Sequence, residues 1–179
     1  MRLCVRASVF AVLACGGQAP DRVAHVQELA DSADQMLISM RTAITNLGVR
    51  QANLEADTAF LYENAGRADL KKIKVRFYTT TGIETSVLTA DTGIYFVRNG
   101  TMEARGNVVV VRSDGARLTT SMLKYDQAQN QVSTDQPYTF DEGTRHGVGQ
   151  GFTSDPSFTN IHTRQLRGSG GGLTLPGQE

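Results

Sequence analysis

The sequence lacks tryptophan, has only four prolines, and confines both of its cysteines to the first fifteen residues. Because Cys4 and Cys15 stand alone, the rest of the chain can form neither a disulfide framework nor a cysteine-based zinc site. Three histidines, His25, His146 and His162, are isolated from one another, and there is no HExxH motif. We therefore expect no metal ion and no cofactor.

An excess of charge of one sign is also missing, since 18 basic residues balance 18 acidic ones. Proteins that bind nucleic acid usually carry a basic excess, so a nucleic-acid partner is not expected. A polybasic surface for anionic membranes is disfavoured for the same reason. The chain also has no nucleophile elbow, and we expect a protein that is not an enzyme.

The N-terminus is typical of an export signal. Arg2 and Arg6 give it a basic start, and the apolar run from Ala7 to Ala14 follows. Eight helical residues rise about 12 Å, far less than the roughly 30 Å of a bilayer core, so this run is too short to be a membrane span. Residues 1–14 are predicted to be a signal peptide.

The segment Val12-Leu13-Ala14-Cys15 resembles a bacterial lipobox, in which the chain is cut before a cysteine that receives acyl chains. Acylated Cys15 would hold the protein on a membrane, because several acyl chains together anchor firmly. The large Leu13 departs from the usual small residue. Two alternatives stay open, namely an ordinary signal cut near Ala14 and a signal truncated by a misassigned start.

Three regions follow the signal. Residues 15–35 are predicted to form a lipid-anchored tether, residues 36–168 a single domain, and residues 169–179, rich in glycine, a flexible tail. Part of the tether has apolar residues at helical spacing, which indicates either a short amphipathic helix or a mobile linker. These residues are Val23, Val26, Leu29, Ala30 and Ala33.

Apolar residues alternate with polar ones from Met36 onward, as in Ile73, Val75 and Phe77, which predicts strands with one buried face. No helix is predicted between residues 36 and 168. Turn signals recur between the strands. They are Asn46-Leu47-Gly48, Thr81-Gly82, Asn99-Gly100, Asp114-Gly115, Gln129-Asn130 and Glu142-Gly143.

The domain contains an internal repeat. Segments 54–62, 88–96 and 118–126 begin with Leu-Glu-Ala-Asp, Leu-Thr-Ala-Asp and Leu-Thr-Thr-Ser, and a fainter fourth copy is predicted at Phe152–Asp155. The regular spacing of the copies, which begin at residues 54, 88 and 118, predicts a β structure built from similar layers.

Strict alternation in the third copy would point Lys124 and Asp126 inward, which is costly for unpaired charges. A bulge after the third residue of each copy avoids this and is the preferred register. Its inward sets are Leu54, Ala56, Ala59 and Leu61, then Leu88, Ala90, Gly93 and Tyr95, then Leu118, Thr120, Leu123 and Tyr125. The alternative is that each copy has its own register.

An ordered series of segments resembles the OstA-like family of lipopolysaccharide transport proteins, over roughly residues 34–168. Within this family the membrane-tethered LptC branch is a better match than the soluble LptA branch, because of the predicted tether. The matching segments are Leu88–Asp91, Met102–Val110, Leu118–Asp126, Val132–Pro137 and Gly149–Asp155.

The resemblance implies an all-β fold, a single antiparallel β-jellyroll that is incompletely closed, with acyl chains of lipopolysaccharide or a related glycolipid carried in its apolar interior. Alternation of large and small side chains suits such a groove, although an ordinary core explains the same residues. The predicted lipid groove consists of Leu54, Ala56, Ile73, Val75, Phe77, Leu88, Ala90, Val108, Val110, Leu118 and Leu123.

The resemblance also implies partners and a location. The protein would receive lipid from the inner-membrane lipopolysaccharide-export ABC transporter and pass it to an LptA-like periplasmic jellyroll, by adding strands edge to edge. The partner edge is predicted at Ser157–Leu166, with Phe158, Ile161 and Leu166 as its apolar residues, and the other edge at Met36–Thr45. Localisation is expected in the periplasm, tethered to a membrane, with the inner membrane favoured.

Two further alternatives stay open for function. The protein could be a soluble bridge of the LptA type, or a structural envelope lipoprotein that binds no lipid. Phosphates of the lipid head group could meet Lys71, Lys72, Lys74 or Arg76, but a solvated strand face explains these charges equally well.

Overall fold

A computed structural model describes residues 33–169, and within this range every regular element is a β-strand. The nine strands form one antiparallel sheet in sequence order, with β1 and β9 as its edges. This confirms the predicted all-β, incompletely closed fold. The strands are β1 (Gln35–Asn46), β2 (Val49–Tyr62), β3 (Arg67–Tyr78), β4 (Glu84–Phe96), β5 (Thr101–Arg112), β6 (Arg117–Asp126), β7 (Gln131–Glu142), β8 (Arg145–Ser154) and β9 (His162–Ser169).

Tight turns join the strands at all six positions predicted from the sequence. The turn between β1 and β2 shows why glycine is needed there, because Gly48 has a φ of +81°. The sequence analysis missed one turn, at Glu63–Gly66, although Gly66 also lies in the left-handed region, with a φ of +62°.

A row of ladder breaks crosses the sheet, and each strand from β1 to β8 contributes a position to this row. At these positions the residue-to-residue pairing is interrupted, and several have a positive φ. Breaks of this kind bend a strand and increase its twist. We call this row the crease; it consists of Ser39, Asp57, Lys72, Asp91, Gly106–Asn107, Ser121, Asp135–Gln136 and Gly151.

The sheet folds along the crease, so that its two halves face each other. We call the half on the Phe77 side of the crease half A and the half on the Tyr125 side half B. The rings of Phe77 and Tyr125 meet edge to face, with centroids 5.2 Å apart. The two halves are staggered, which means that one half is displaced past the other along the direction in which the strands follow one another. Thr45, on β1 in half A, accepts a hydrogen bond from Gln127, which follows β6 in half B.

Burial confirms the bulged register of the repeats. In all three copies every second residue faces inward up to the crease. After the crease the inward positions shift by one residue, so that Thr120 and Leu123 are both buried although they are three residues apart. Lys124 consequently faces outward. Asp91 has the local role expected of a bulge residue, since its carboxylate accepts a hydrogen bond from the side-chain amide of Asn107, 2.6 Å away.

The repeat occupies every second strand, with its copies on β2, β4 and β6. Their crease residues are Asp57, Asp91 and Ser121, and β8 has its own at Gly151. The segment predicted as a fainter fourth copy, Phe152–Asp155, begins directly after this break, and its residues Phe152 and Ser154 are buried.

The predicted C-terminal edge is wrong over its first half. Residues 157–161 form a loop, and the edge strand β9 begins at His162. Phe158, predicted to lie on this edge, is instead 1% exposed and belongs to the core. The predicted signal peptide, Cys15 and nearly all of the tether and tail lie outside the described residues.

Candidate functional site

The eleven residues predicted to line a lipid groove all lie on the inner faces of the two halves. Each is buried, and all belong to one apolar cluster. They pack against one another as a core in this structure, so the space between the halves is occupied by side chains at these positions.

One buried polar group in this core has no partner. Tyr125 is 1% exposed, and its hydroxyl makes no hydrogen bond. Burial raises the pKa of Tyr125 to about 12, with smaller contributions from Tyr95 and Asp126. The interior is therefore a low-dielectric environment in which the neutral phenol is favoured.

The inner surface opens at the β1 end of the sheet. There the stagger leaves half B uncovered, and a groove of about 600 Å³ remains, a volume in the range of small-molecule sites. Leu37, Met40, Leu61, Ala68 and Tyr95 provide its apolar lining. Met40, Leu61 and Tyr95 also pack against the buried cluster, so the groove continues into the core.

Charged side chains surround this groove at its rim. Arg98 lies over Gly66 and donates a hydrogen bond to the carbonyl oxygen of Asn64, 3.2 Å away. Arg67 lies over the ring of Tyr62, with 4.8 Å between the guanidinium carbon and the ring centroid. The groove thus joins an apolar floor to a polar, partly cationic rim.

The basic residues considered for head groups lie elsewhere. Lys71, Lys74 and Arg76 are on the outer face of β3, on the side opposite the buried cluster. Arg76 forms an ion pair with Glu55, and its hydrogen bond holds the pKa of that carboxyl below its usual value. These positions fit a solvated strand face, and Lys72 is exposed at the crease.

A loop crosses the open side of the jellyroll, which is the side opposite the crease. Residues 155–160, which we call the strap, run from the end of β8 in half B across to half A. Ser86 on β4 donates to the carbonyl oxygen of Pro156 at 2.6 Å, and Arg112 on β5 donates to that of Phe158 at 3.1 Å. The strap therefore bridges the two halves.

Asp155 organises the strap from within. Its carboxylate accepts hydrogen bonds from the backbone N–H groups of Ser157, Thr159 and Asn160, and from the Thr159 hydroxyl. Burial alone would raise the pKa of Asp155, but these donors outweigh burial and hold the pKa below its ordinary value. The ionised form of Asp155 thus stabilises the folded strap.

Both edges of the sheet are available for pairing. Leu166 lies on β9 opposite Gly149, and Ile161, just before β9, packs against the core. β1 presents Met36 and Ile38 on its outer face, and both are more than half exposed. No strand covers the outer side of either edge within residues 33–169.

Among residues 33–169, no three His, Cys, Asp or Glu side chains come together in a way that could hold a metal ion. The described part of the chain also contains no helix of sufficient length and apolarity to cross a bilayer.

A family model described as lipopolysaccharide-assembly, LptC-related, matches residues 6–162. The chain belongs to this LptC-related family. Membership makes the protein a periplasmic component of lipopolysaccharide transport that acts through a β-jellyroll. Lipopolysaccharide, the export transporter and LptA-like proteins are the partners of the family.

One similar solved structure is that of LptH, the LptA-homologous periplasmic component of the lipopolysaccharide transport device of Pseudomonas aeruginosa. It is 15% identical, with a TM-score of 0.49, and the match covers 72% of this chain and 89% of LptH. No curated protein matches the sequence.

Several residues of the groove and of the strap contacts were not predicted as site residues. Leu61 and Tyr95 were predicted to face inward, and Met40 lies on the predicted β1 edge, but the alternating pattern does not show which inner residues stay uncovered. Ser86 and Arg112 give no sequence signal for their bonds to the strap, because their partners are backbone carbonyl groups far along the chain.

Proposed function

We propose that this protein transfers lipopolysaccharide from the inner-membrane ABC transporter to the next periplasmic jellyroll, with the acyl chains held between its two halves. The observation that carries the proposal is the apolar groove at the β1 end, continuous with the buried cluster. Acyl chains gain about 25 cal/mol per Å² of apolar area removed from water, so no catalyst is needed.

The groove is the first binding position in this proposal. Acyl chains rest on Leu61, Ala68 and Tyr95, while the phosphorylated sugar stays at the rim in water, where Arg98 provides a donor. Passage into the space between the halves then requires the core residues to separate, as at Leu54 and Leu123. The jellyroll thus binds lipid by opening along its uncovered side.

Edge strands form the joints in the proposed pathway. β1 faces the component that delivers the lipid, and β9 adds a strand of the next jellyroll. The stagger of the halves supports this arrangement, because another molecule joined at β1 would cover the exposed inner face of half B. Acylation of Cys15 would keep the domain at the inner membrane, and intact-mass measurement on the membrane fraction tests it.

Photo-crosslinking tests the proposed lipid route. p-Benzoylphenylalanine at Leu61 in the groove and at Leu123 in the core is compared with the same group at Lys74 on the outer face. We expect adducts with purified rough lipopolysaccharide at Leu61 and Leu123 and none at Lys74. Absence of adducts at both inner positions, in variants with unchanged circular dichroism, would contradict lipid binding.

A second candidate function is a scaffold that joins envelope proteins through its edges and binds no lipid. The observation that favours it is the packing of the eleven predicted groove residues into a continuous core. The scaffold predicts adducts with partner proteins at β1 and β9, and no lipid adduct at any inner position. A soluble bridge is distinguished by a mature chain with no acyl group on Cys15.

A further inference from the structure

The strap is the part of the domain that crosses the open side of the jellyroll. It connects the end of β8 to half A through two hydrogen bonds, from Ser86 and from Arg112. Both acceptors are main-chain carbonyl oxygens, so release breaks no hydrogen bond between a strap side chain and half A at these two points. Arg112 is also held by Asp114 and Glu142, so this donor stays in place when the strap leaves.

Phe158 is the only large apolar side chain of the strap, and it points into the interior. It is 1% exposed, and its ring lies against Phe152, with centroids 6.2 Å apart. Phe152 in turn meets Tyr138 at 5.0 Å. Phe158 also has a φ of +54°, a backbone conformation disfavoured for a residue with a Cβ atom.

These features combine in one place an apolar side chain inserted from outside, a strained backbone and a few polar bonds. A lipid with its acyl chains inside and its sugars in water must extend through the open side. The strap spans that side at β4 and β5, so a lipid moving from the β1 end toward β9 meets it.

We propose that the space filled by Phe158 is an acyl-chain site and that the strap is its gate. When the strap swings out, an acyl chain of the lipid takes the place of the Phe158 ring against Phe152. This inference rests on the proposed function, and it adds a second lipid position near the β9 edge, separate from the groove at β1.

Hydrogen exchange of the full-length protein tests the gate directly. The amides of Ser157, Thr159 and Asn160 are protected by their bonds to Asp155, which adjoins the end of β8 and is the hinge of the strap in this proposal, so residues 157–160 lose these bonds when they swing out. Excess purified rough lipopolysaccharide should raise their exchange rates roughly tenfold, the factor associated with losing one buried hydrogen bond. Amides in the middle of β3 serve as the internal reference and should not change.

Two variants locate the effect. Ser86→Ala removes one bond to the strap, and Phe158→Ala empties the proposed site. Both should raise lipopolysaccharide adducts of p-benzoylphenylalanine at Phe152 relative to those at Leu61. Thr85→Val is the matched control, since it removes a hydroxyl bond within the sheet, to the carbonyl oxygen of Phe77, and leaves the strap untouched.

The outcomes separate this inference from the proposed function. If Leu61 forms lipid adducts but strap exchange and Phe152 adducts do not respond, the gate is wrong and lipid binding stands. If Leu61 forms no adduct in the folded protein, the proposed function itself fails. If Thr85→Val increases Phe152 adducts as strongly as Ser86→Ala, general loosening explains the change and the gate is rejected.

Discussion

Tyr125 shows at the scale of one residue that the core is not optimised for stability alone. Its hydroxyl is buried without a partner, and a buried unsatisfied polar group costs about 1–3 kcal/mol. The ring itself packs well against Phe77. The penalty therefore belongs to the oxygen atom and not to the side chain as a whole.

Tyr125→Phe is expected to raise the free energy of unfolding by about 1–2 kcal/mol, since it removes only the unsatisfied hydroxyl. Urea unfolding at pH 7 measures this. Tyr138→Phe is the comparison, with a buried tyrosine on the neighbouring strand. A decrease in stability for Tyr125→Phe would show that the hydroxyl has a partner such as an ordered water.

The pH dependence of the same variant has a definite sign. Burial raises the pKa of Tyr125 to about 12, so the folded state keeps its proton where the unfolded state has lost it. The stability supplied by the neutral phenol is complete below about pH 10 and is lost as pH rises toward 12. The advantage of Tyr125→Phe over wild type should grow over this interval.

The crease is the feature that matters most at the scale of the strands. On β5 it depends on Gly106, which has a φ of +75° and whose added Cβ would come 2.9 Å from a carboxylate oxygen of Asp91. Two separate requirements, backbone conformation and space, therefore exclude a side chain at this position.

A double-mutant cycle separates the two requirements. Gly106→Ala should destabilise the domain by about 1–3 kcal/mol, from left-handed strain and from the contact with Asp91. The double variant Asp91→Ala/Gly106→Ala should regain the stability lost through the contact with Asp91 and should still lack the stability lost through backbone strain. Thermal unfolding of the four proteins measures this, and full additivity would contradict the contact.

β9 allows a test of the edge itself. Successive residues of an edge strand direct their N–H groups alternately toward the sheet and away from it. Of Arg164→Pro and Gln165→Pro, one should therefore abolish binding of an LptA-like partner and leave the melting temperature unchanged. Arg164→Ala controls for the loss of its ion pair with Asp135, and unchanged binding by both proline variants would refute the edge assignment.

Sequence reasoning succeeded where local charge decided the outcome. The bulged register could be predicted because strict alternation would bury Lys124 and Asp126. It failed at Phe158, since Ser157-Phe-Thr-Asn-Ile alternates like a strand. The carboxylate of Asp155 instead accepts hydrogen bonds from the backbone amides that follow it, and the segment forms a turn. The Asp-Pro pair at residues 155–156 is the sequence feature that could have predicted this turn.

The stagger of the two halves creates the groove at the scale of the whole molecule, and local sequence does not reveal it. On each side of the crease the inner residues alternate with outer ones in the same way, whether or not the other half covers them. Leu54 is fully buried, while Leu37, on the same inner surface, remains 39% exposed. The groove exists because of how far one half slides past the other.

Adjacent residues on β1 test the groove with a matched pair. Leu37 lines the groove, whereas Ile38 is 64% exposed on the outer face. Leu37→Glu should weaken binding of rough lipopolysaccharide roughly tenfold, since burying an apolar side chain contributes about 1.5–3 kcal/mol. Ile38→Glu should leave affinity unchanged, and equal effects of the two substitutions would contradict lipid binding in the groove.

The crease has one more consequence, for how such domains lengthen. Since every strand from β1 to β8 bends at the same line, an additional hairpin with its own bend could be inserted between two existing hairpins without changing the distance between the two halves. Longer homologues are then expected to differ by whole hairpins, added in the direction from β1 to β9, and to keep the same spacing between the halves.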